Sequence, residues 1–542
     1  MHEIITLQLG QRSNYLATHF WNTQARSQPF LHFAVESYFT YSPDQDTLVD
    51  HDIHFRPGIG ADGTETFTPR TLIYDLKGGF GSMRKINALY EVDEPAVPQG
   101  LWNGPTVVQR QTAIQQNEYQ RSLEEGVAPP QLTSESVKYW SDFNRVFFHP
   151  RSIVQLNEFE LNSTLMPFEN WNLGEELFNS LDKEHDLLDR DLRYFAEEAD
   201  QMQCIQLMAG IDDAWGGFAA RYLDRIRDEY GKTSVLFWGI EDSIKTIPRE
   251  KRFLKLSNTA RSISEIAPQA SLFVPMTTPS SSLPSYVTLD THSPWQISGL
   301  LSTAMESMSL PSRLKVQSSA RQTFDQLSNA VNVNGNQTIT RLRMTIDQEL
   351  AINGHGHSQV VGGVGQMGGS RVPLGNGHVN DSILNQEDEP KTFDMDFFPT
   401  ETDEQSRTRR SRKPHVFGQV ENSRENHDQQ QTQIIGEDEG HERARRRAAG
   451  LPIIQRTKIP VSFPLLDSFP HIFAQTSTTA PSLAVSTSLS TDTSVALRVK
   501  SLQNIVNRAI SVDEREALSN SLGEIAEAYE EGWDSGTDED DD

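Results

Sequence analysis

The sequence predicts an α/β fold with a parallel sheet flanked by helices, Rossmann-like in its N-terminal part, followed by an α+β part. One observation is the order of patterns over 204–240: a buried apolar strand, a polar loop, a helix with apolar residues at helical spacing, and a second apolar strand. Strands joined through a helix run parallel in one sheet. A second observation is that short apolar runs over 5–9 and 72–74 also alternate with helical patterns.

The chain opens with a strand and a helix. Apolar residues alternate over 5–9, and Gly10 ends the run. Alternation with a period of two is typical of a strand, and a glycine after it marks a turn. We expect a helix to follow with Ser13 or Asn14 as its N-cap, because both side chains can accept a hydrogen bond from the first helical turn.

Two further patterns precede the 204–240 unit. The run 72–74 predicts a buried strand that ends at Asp75, ahead of a glycine-rich turn at 78–81. Apolar residues from Leu177 to Ala199 recur at spacings of three, four and seven, which predicts an amphipathic helix.

Composition and pattern divide the chain into consecutive segments. They are the first part of the N-terminal fold (1–120), its second part (121–310), a helical connector (311–349), a long disordered insertion (350–450), a C-terminal α+β part (451–530) and an acidic tail (531–542). The insertion is poor in apolar residues and cannot bury enough surface to offset the entropy of ordering. We interpret its two basic clusters, 409–413 and 443–447, as solvated linker, with a nuclear signal or a docking patch as alternatives.

Net charge and cysteine content exclude some classes of protein. The formal net charge is -27. An acidic chain repels phosphates, which argues against direct binding of nucleic acid. The single cysteine, Cys204, excludes an intramolecular disulfide and a cysteine-rich zinc site, and it fits a reducing compartment. No apolar run is long enough to span a bilayer and the N-terminus lacks a secretory signal, so we expect no transmembrane segment.

Three segments, in order along the chain, resemble tubulin. Residues 3–14, with Phe20 and Trp21 after them, resemble its first strand, first nucleotide loop and first helix. Residues 69–76 resemble the strand before the second nucleotide loop, and 204–230 resemble the strand and helix that flank the phosphate loop. The resemblance implies a tubulin-like fold.

The fit to the Misato family is closer. That family has a strand ending in a DLKG-type turn, here 75–78, and a tryptophan-aromatic segment ahead of a His-Pro pair, here 139–150. The resemblance implies a role in partitioning mitochondria and mitochondrial DNA. It also implies a location at the mitochondrion, which we expect to be peripheral, on the cytosolic face, and shared with the cytoplasm, because the chain is acidic and lacks a presequence.

The resemblance to tubulin also places a nucleotide site. Its candidate residues are Gly10, Gln11, Asn14, Asp75, Gly216 and Gly217. In tubulins a glycine-rich loop lets backbone N–H groups approach the phosphates at a helix N-terminus. The matching loop here, 211–217, carries Asp212, Asp213 and Trp215 in place of most of those glycines.

These replacements predict a loss of nucleotide affinity. Two carboxylates beside a triphosphate are unfavourable by on the order of 1 kcal/mol each, even with screening, and Trp215 would crowd the space. Lys77 stands where tubulin has an acidic residue near its metal, so it would not hold Mg²⁺, although it could contact a phosphate. The catalytic acid of tubulin aligns near Ala304, and Glu306 is close but out of phase.

We therefore expect no catalytic residue, no cofactor and no metal site. Retained GTP binding stays open as an alternative, because Gln11, Asn14 and Asp75 match nucleotide-contacting positions of tubulin. The adjacent Asp212 and Asp213 are expected to cap a helix, where negative charge is favourable, rather than to bind a metal.

The expected function is that of a non-catalytic tubulin-like scaffold acting through protein partners. The partners considered are tubulin, the cytosolic chaperonin and mitochondrial surface proteins. Two alternatives stay open: a GTP-binding, filament-forming GTPase, and an assembly factor that engages the chaperonin or tubulin.

Overall fold

The fold is seen in a computed structural model of the chain. The structure describes residues 2–24, 48–59, 65–83, 114–244, 247–279, 283–346, 392–400, 414–424, 452–474 and 482–530. Most of the predicted insertion, both of its basic clusters and the acidic tail lie outside these residues.

A six-stranded parallel sheet forms the centre of the N-terminal part. The first strands of the described chain are β1 (Ile4–Leu9), β2 (Phe55–Ile59), β3 (Glu65–Pro69), β4 (Thr71–Lys77), β5 (Ile153–Glu160), β6 (Cys204–Gly210), β7 (Ser234–Ile240) and β8 (Leu272–Met276). Strands β2 and β3 form a separate antiparallel hairpin. The other six lie in the order β5-β4-β1-β6-β7-β8, and every neighbouring pair is parallel. The predicted parallel sheet is confirmed.

Helices cover both faces of this sheet. The α-helices of the described residues are α1 (Gln11–Asn22), α2 (Glu118–Glu125), α3 (Trp171–His185), α4 (Arg193–Glu197), α5 (Ala214–Glu229), α6 (Arg249–Ile266), α7 (Pro294–Ser309), α8 (Phe324–Val331), α9 (Ser494–Ala509) and α10 (Val512–Glu527). Helices α1 and α7 share one apolar cluster with Ile4 of β1, whereas α3, α5 and α6 share the other with Ile5 and Leu7. Successive side chains of a strand point to opposite faces, so β1 is buried on both. None of the described helices is long and apolar enough to cross a bilayer.

Helix α1 begins earlier than predicted. It starts at Gln11, and Gly10 stands at the N-cap position with φ +86°. A residue without Cβ adopts this left-handed backbone without a steric penalty, so β1 turns directly into α1. Ser13 Oγ instead donates to Gly10 O at 2.6 Å. The prediction of Ser13 or Asn14 as the cap was wrong.

A second sheet of five strands follows. The later strands are β9 (Arg341–Ile346), β10 (Met395–Asp396), β11 (Val416–Arg424), β12 (Ile453–Ile459), β13 (Phe463–Pro464), β14 (Ser482–Leu483) and β15 (Val485–Asp492). The sheet has the order β10-β9-β15-β11-β12, antiparallel except for β11 with β12, while β13 and β14 pair separately. Phe273 of β8 bridges to Ile339, just before β9, and so links the two sheets.

The second sheet corrects two predicted segments. The connector 311–349 was predicted to be helical, but after α8 it ends in strand β9. The insertion 350–450 was predicted to be disordered, yet it contributes β10 and β11. Strand β11 escaped prediction because its buried face is partly polar: Asn422 donates to Met308 O at 2.9 Å and Arg424 forms a buried ion pair.

Candidate functional site

Four of the predicted site residues meet at the carboxyl ends of β1 and β4. Gly10 leads from β1 into Gln11, the first residue of α1. The Asp75 carboxylate accepts hydrogen bonds from Asn14 Nδ2 at 2.7 Å and from Gln11 Nε2 at 2.5 Å. Gln11 Nε2 also donates to Gly79 O at 2.8 Å. The predicted nucleotide-contacting side chains therefore bond to one another and tie the two loops together.

Asp75 is completely buried in this arrangement. Burial raises its pKa to about 7, although hydrogen bonds from Asn14, from the Leu76 N–H at 2.8 Å and from Gln11 oppose the rise. Both carboxylate oxygens accept from these donors. Asp75 thus serves as the acceptor at the centre of the two loops.

The predicted phosphate loop turns into helix α5 at Ala214. Asp213 is the N-cap of α5, and its Oδ1 accepts from the Trp215 N–H at 2.9 Å. The capping role predicted for these aspartates is confirmed for Asp213. The Trp215 indole packs against Gly10, where an added Cβ would collide with the ring. The indole fills the space directly beside the first loop.

Gly216 and Gly217 do not join the other four residues. Both lie inside α5 and face neighbouring helices. A Cβ at Gly217 would collide with Trp171 O of α3, and a Cβ at Gly216 would collide with Ser262 of α6. Glycine is required here for close helix packing. The prediction that placed both in the phosphate loop is corrected, because Asp213 caps the helix before the chain reaches them.

Arg12 joins the aspartates of the loop into one ion-pair cluster. Its guanidinium pairs with Asp212 and Asp213, and Nη1 lies 3.2 Å from Asp242 Oδ1. Lys255 Nζ lies 2.9 Å from Asp212 Oδ2 and 2.8 Å from Asp242 Oδ2. We call these five residues the Arg12 cluster. Its two cations offset two of its three carboxylates.

The carboxylates of the cluster differ in how readily they ionise. Burial opposes ionisation of Asp212, but the charges of Arg12 and Lys255 outweigh it and hold its pKa below the ordinary value. Burial raises the pKa of Asp213, against the attraction of Arg12, and the charge of Asp212 adds to that rise. Asp212 is therefore the main counter-charge of Arg12. The sequence predicted two carboxylates that would repel a triphosphate, and the structure shows both of them paired with Arg12 inside the fold.

A cleft of about 190 Å³ opens beside the Arg12 cluster. It is lined by Gln11, Arg12 and Trp215 and by residues between 160 and 169. Phe168 meets Trp215 edge-on, with ring centroids 5.3 Å apart. Sites for small molecules usually enclose roughly 300–1,000 Å³. The cleft is therefore small for a nucleoside triphosphate.

The remaining predicted positions lie elsewhere. Lys77 is not among the residues that line the cleft, and Ala304 is buried within α7. Glu306 is fully buried, and its carboxylate pairs with Arg313 at 2.7 Å and with Arg424. Burial opposes ionisation of Glu306, but the two guanidinium groups outweigh it and lower its pKa. Glu306 thus belongs to a buried ionic triad.

Sequence reasoning missed three members of the Arg12 cluster. Arg12 directly follows Gln11, and this position was the only indication in the sequence that Arg12 belongs to the site. Lys255 lies on α6 and Asp242 follows β7, and neither position stands out from its local pattern. Within the described residues, no three side chains of His, Cys, Asp or Glu are grouped so that they could hold a metal ion.

Comparison with known proteins shows the family to which the chain belongs. Residues 2–125 match the Misato Segment II tubulin-like domain, and residues 129–314 match the Tubulin domain. Protein dml-1 of Neurospora crassa is 50% identical over 555 residues, and protein dml1 of Aspergillus clavatus is 47% identical over 544 residues, each covering 100% of both chains. Protein dml1 of Schizosaccharomyces pombe is 35% identical over 333 residues, which cover 58% of this chain and 66% of that protein. The chain therefore belongs to the Misato family of tubulin-like proteins, together with the fungal Dml1 proteins.

Proposed function

We propose that this protein is a non-catalytic tubulin-like scaffold that acts in the partitioning of mitochondria and the inheritance of mitochondrial DNA. The observation that supports the lack of catalysis is the filling of the phosphate-loop region by the Arg12 cluster and by Trp215. The mitochondrial role is supported by the family resemblance.

The Arg12 cluster opposes a nucleotide for an energetic reason. A triphosphate at the N-terminus of α5 would compete with Asp212 for Arg12 and Lys255. Removing one partner from a buried ion pair costs about 3–5 kcal/mol, because the remaining charge is left uncompensated. Micromolar affinity corresponds to about 8 kcal/mol. Displacing Asp212 would therefore consume a large part of the binding free energy.

Hydrolysis would also need a carboxylate that can reach the attacking water. Glu306 is the acid nearest to the expected position along α7, and both of its oxygens are held by buried arginines. This arrangement supports a scaffold over an active GTPase.

A nucleotide assay on the purified full-length protein tests the proposal. We expect the protein to release no stoichiometric guanine nucleotide when it is denatured, and to show no saturable binding of a fluorescent GTP analogue in the micromolar range. In the structure, Gln11 is held by Asp75 and Gly79 within the fold. Micromolar binding that is lost on Gln11→Ala would mean that Gln11 serves a nucleotide instead, and it would contradict the non-nucleotide function.

The rival GTPase makes a distinct prediction. A filament-forming enzyme should release phosphate faster as its own concentration rises, and it should sediment only when GTP is present. We expect neither result for this chain, and observing both would replace the scaffold by the enzyme.

The mitochondrial role is tested separately. We expect fractionation to place the protein partly with mitochondria and partly in the cytosol, and we expect added protease to remove the mitochondrial share from intact organelles. A fully protected protein would refute a peripheral position on the cytosolic face. Co-purification of tubulin, chaperonin or a mitochondrial surface protein would identify which partner class the scaffold engages.

A further inference from the structure

We infer that the cleft beside the Arg12 cluster is a docking site for a basic, partly apolar segment of a partner protein. A lysine or arginine side chain of the partner enters the cleft, and an apolar neighbour rests on its rim. This inference rests on the proposed function, because a nucleotide and a peptide would compete for the same space.

The size of the cleft suits one long side chain. Its 190 Å³ corresponds to roughly six times the volume of a water molecule in the liquid. The aromatic rings of Phe168 and Trp215 line it. Aromatic rings attract cations through the negative charge on their faces, and the attraction grows when the cation is desolvated.

The charge of the cleft and its surroundings is negative. The cleft and its immediate neighbours hold five carboxylates, on Glu160, Glu169, Asp212, Asp213 and Asp242, against four cations, on Arg12, Lys251, Lys255 and Lys77, the last of which is the strand partner of Glu160. Glu169 Oε1 forms an ion pair with the exposed Lys251, whose Nζ lies 3.2 Å away. Within the described part of the chain, no cation lies at ion-pair distance from Glu160. An incoming basic side chain would supply the missing positive charge.

The rim of the cleft adds an apolar contact. Leu165 is 92% exposed and Met166 is 57% exposed. They stand between Ser163 and Pro167, which both line the cleft. Single exposed apolar residues are common, but these two are adjacent, and in the proposed complex they would contact the apolar neighbour of the partner's basic residue.

Binding of a labelled KRLKR peptide to the full-length protein tests the inference by fluorescence anisotropy. We expect saturable binding that weakens between about 50 mM and about 300 mM salt, because partly exposed charges are screened. A Glu160→Gln/Glu169→Gln variant should bind about tenfold more weakly, since each partly exposed charge contributes up to about 1 kcal/mol. A Leu165→Ser/Met166→Ser variant should also weaken binding.

The matched control is Glu124→Gln/Glu125→Gln, which also removes two negative charges, at the exposed end of α2. The affinity of this control variant for the KRLKR peptide should stay at the wild-type value. Thermal unfolding of each variant verifies the fold. We expect little change in the unfolding midpoint, because the substituted side chains are at least partly exposed.

Each other outcome has a defined meaning. An equal loss of affinity on Glu124→Gln/Glu125→Gln, or equal binding of an EDLED peptide, would overturn the site in favour of overall charge. Absence of KRLKR binding together with absence of GTP binding would overturn this inference and leave the proposed function standing. GTP that binds and displaces the peptide would overturn the proposed function. Self-association lost in the Glu160→Gln/Glu169→Gln variant would assign the cleft to a second copy of the chain and overturn the partner proposed above.

Discussion

Replacing Glu306 by glutamine should destabilise the protein strongly without touching the cleft. Glu306, Arg313 and Arg424 are each at most 1% exposed. The carboxylate accepts from Arg313 Nη2 at 2.7 Å and from Arg424 Nη1. Neutralising it removes the carboxylate that the two buried guanidinium groups share. Losing one partner of a buried pair costs about 3–5 kcal/mol, which corresponds to a fall in the unfolding midpoint of roughly 3–5 °C for a chain of 542 residues.

The assay is thermal and urea unfolding of the full-length protein, followed by circular dichroism and by tryptophan fluorescence. The matched control is Glu516→Gln, the same change at an exposed position on α10, which should leave the midpoint unchanged. Combining Glu306→Gln with Arg424→Met should cost less than the sum of the two single changes, because each single change already breaks the contact between Glu306 and Arg424.

A Glu306→Gln midpoint within about 1 °C of the wild type would refute the reasoning. The carboxylate would then contribute nothing to the fold, and a role for Glu306 in hydrolysis would need to be considered again. Strict additivity of Glu306→Gln and Arg424→Met would show that the two side chains act independently, against the ion pair that the structure shows.

Two other predictions follow from helix packing and from a buried imidazole. Gly217→Ala should lower the free energy of unfolding by about 1–3 kcal/mol through overpacking against α3. The control Gly523→Ala meets only a flexible glutamine amide, and it should stabilise α10 by up to about 1 kcal/mol. Equal urea midpoints for the two variants would contradict the packing role of Gly217. Burial lowers the pKa of His19 to about 3, so its contribution to stability is present above pH 6.5 and is lost as the pH falls towards 3. His19→Gln should therefore reduce the loss of unfolding free energy between pH 7 and pH 5 by about 2 kcal/mol, and an unchanged loss would argue against a buried neutral imidazole.

The sequence was informative where local pattern decides structure. The 204–240 unit was predicted from its apolar periodicity, and the structure shows β6, α5 and β7 there. Strand β11 was missed because Asn422 and Arg424 make its buried face polar, and their partners Met308 and Glu306 lie more than a hundred residues away.

The candidate site was likewise predicted only in part. Gln11 and Asp75 were predicted from short motifs, and they do meet. The pairing of Arg12 with Asp213 joins residues 201 positions apart, and no local pattern encodes such a pairing. Gly217 was assigned to the phosphate loop through the resemblance to tubulin, whereas here the close approach of α3 requires a glycine.

The position of Arg498 bears on how the chain can be divided for experiments. Arg498 on α9 is nearly buried and donates to Glu241 Oε2 at 2.9 Å, just beyond the end of β7. A fragment that ends with the tubulin-like match at residue 314 would lose Arg498 and Arg424 together. It would leave Glu241 without this arginine and Glu306 with Arg313 alone. Partner searches are therefore better served by the chain through the end of α10 than by the isolated N-terminal match.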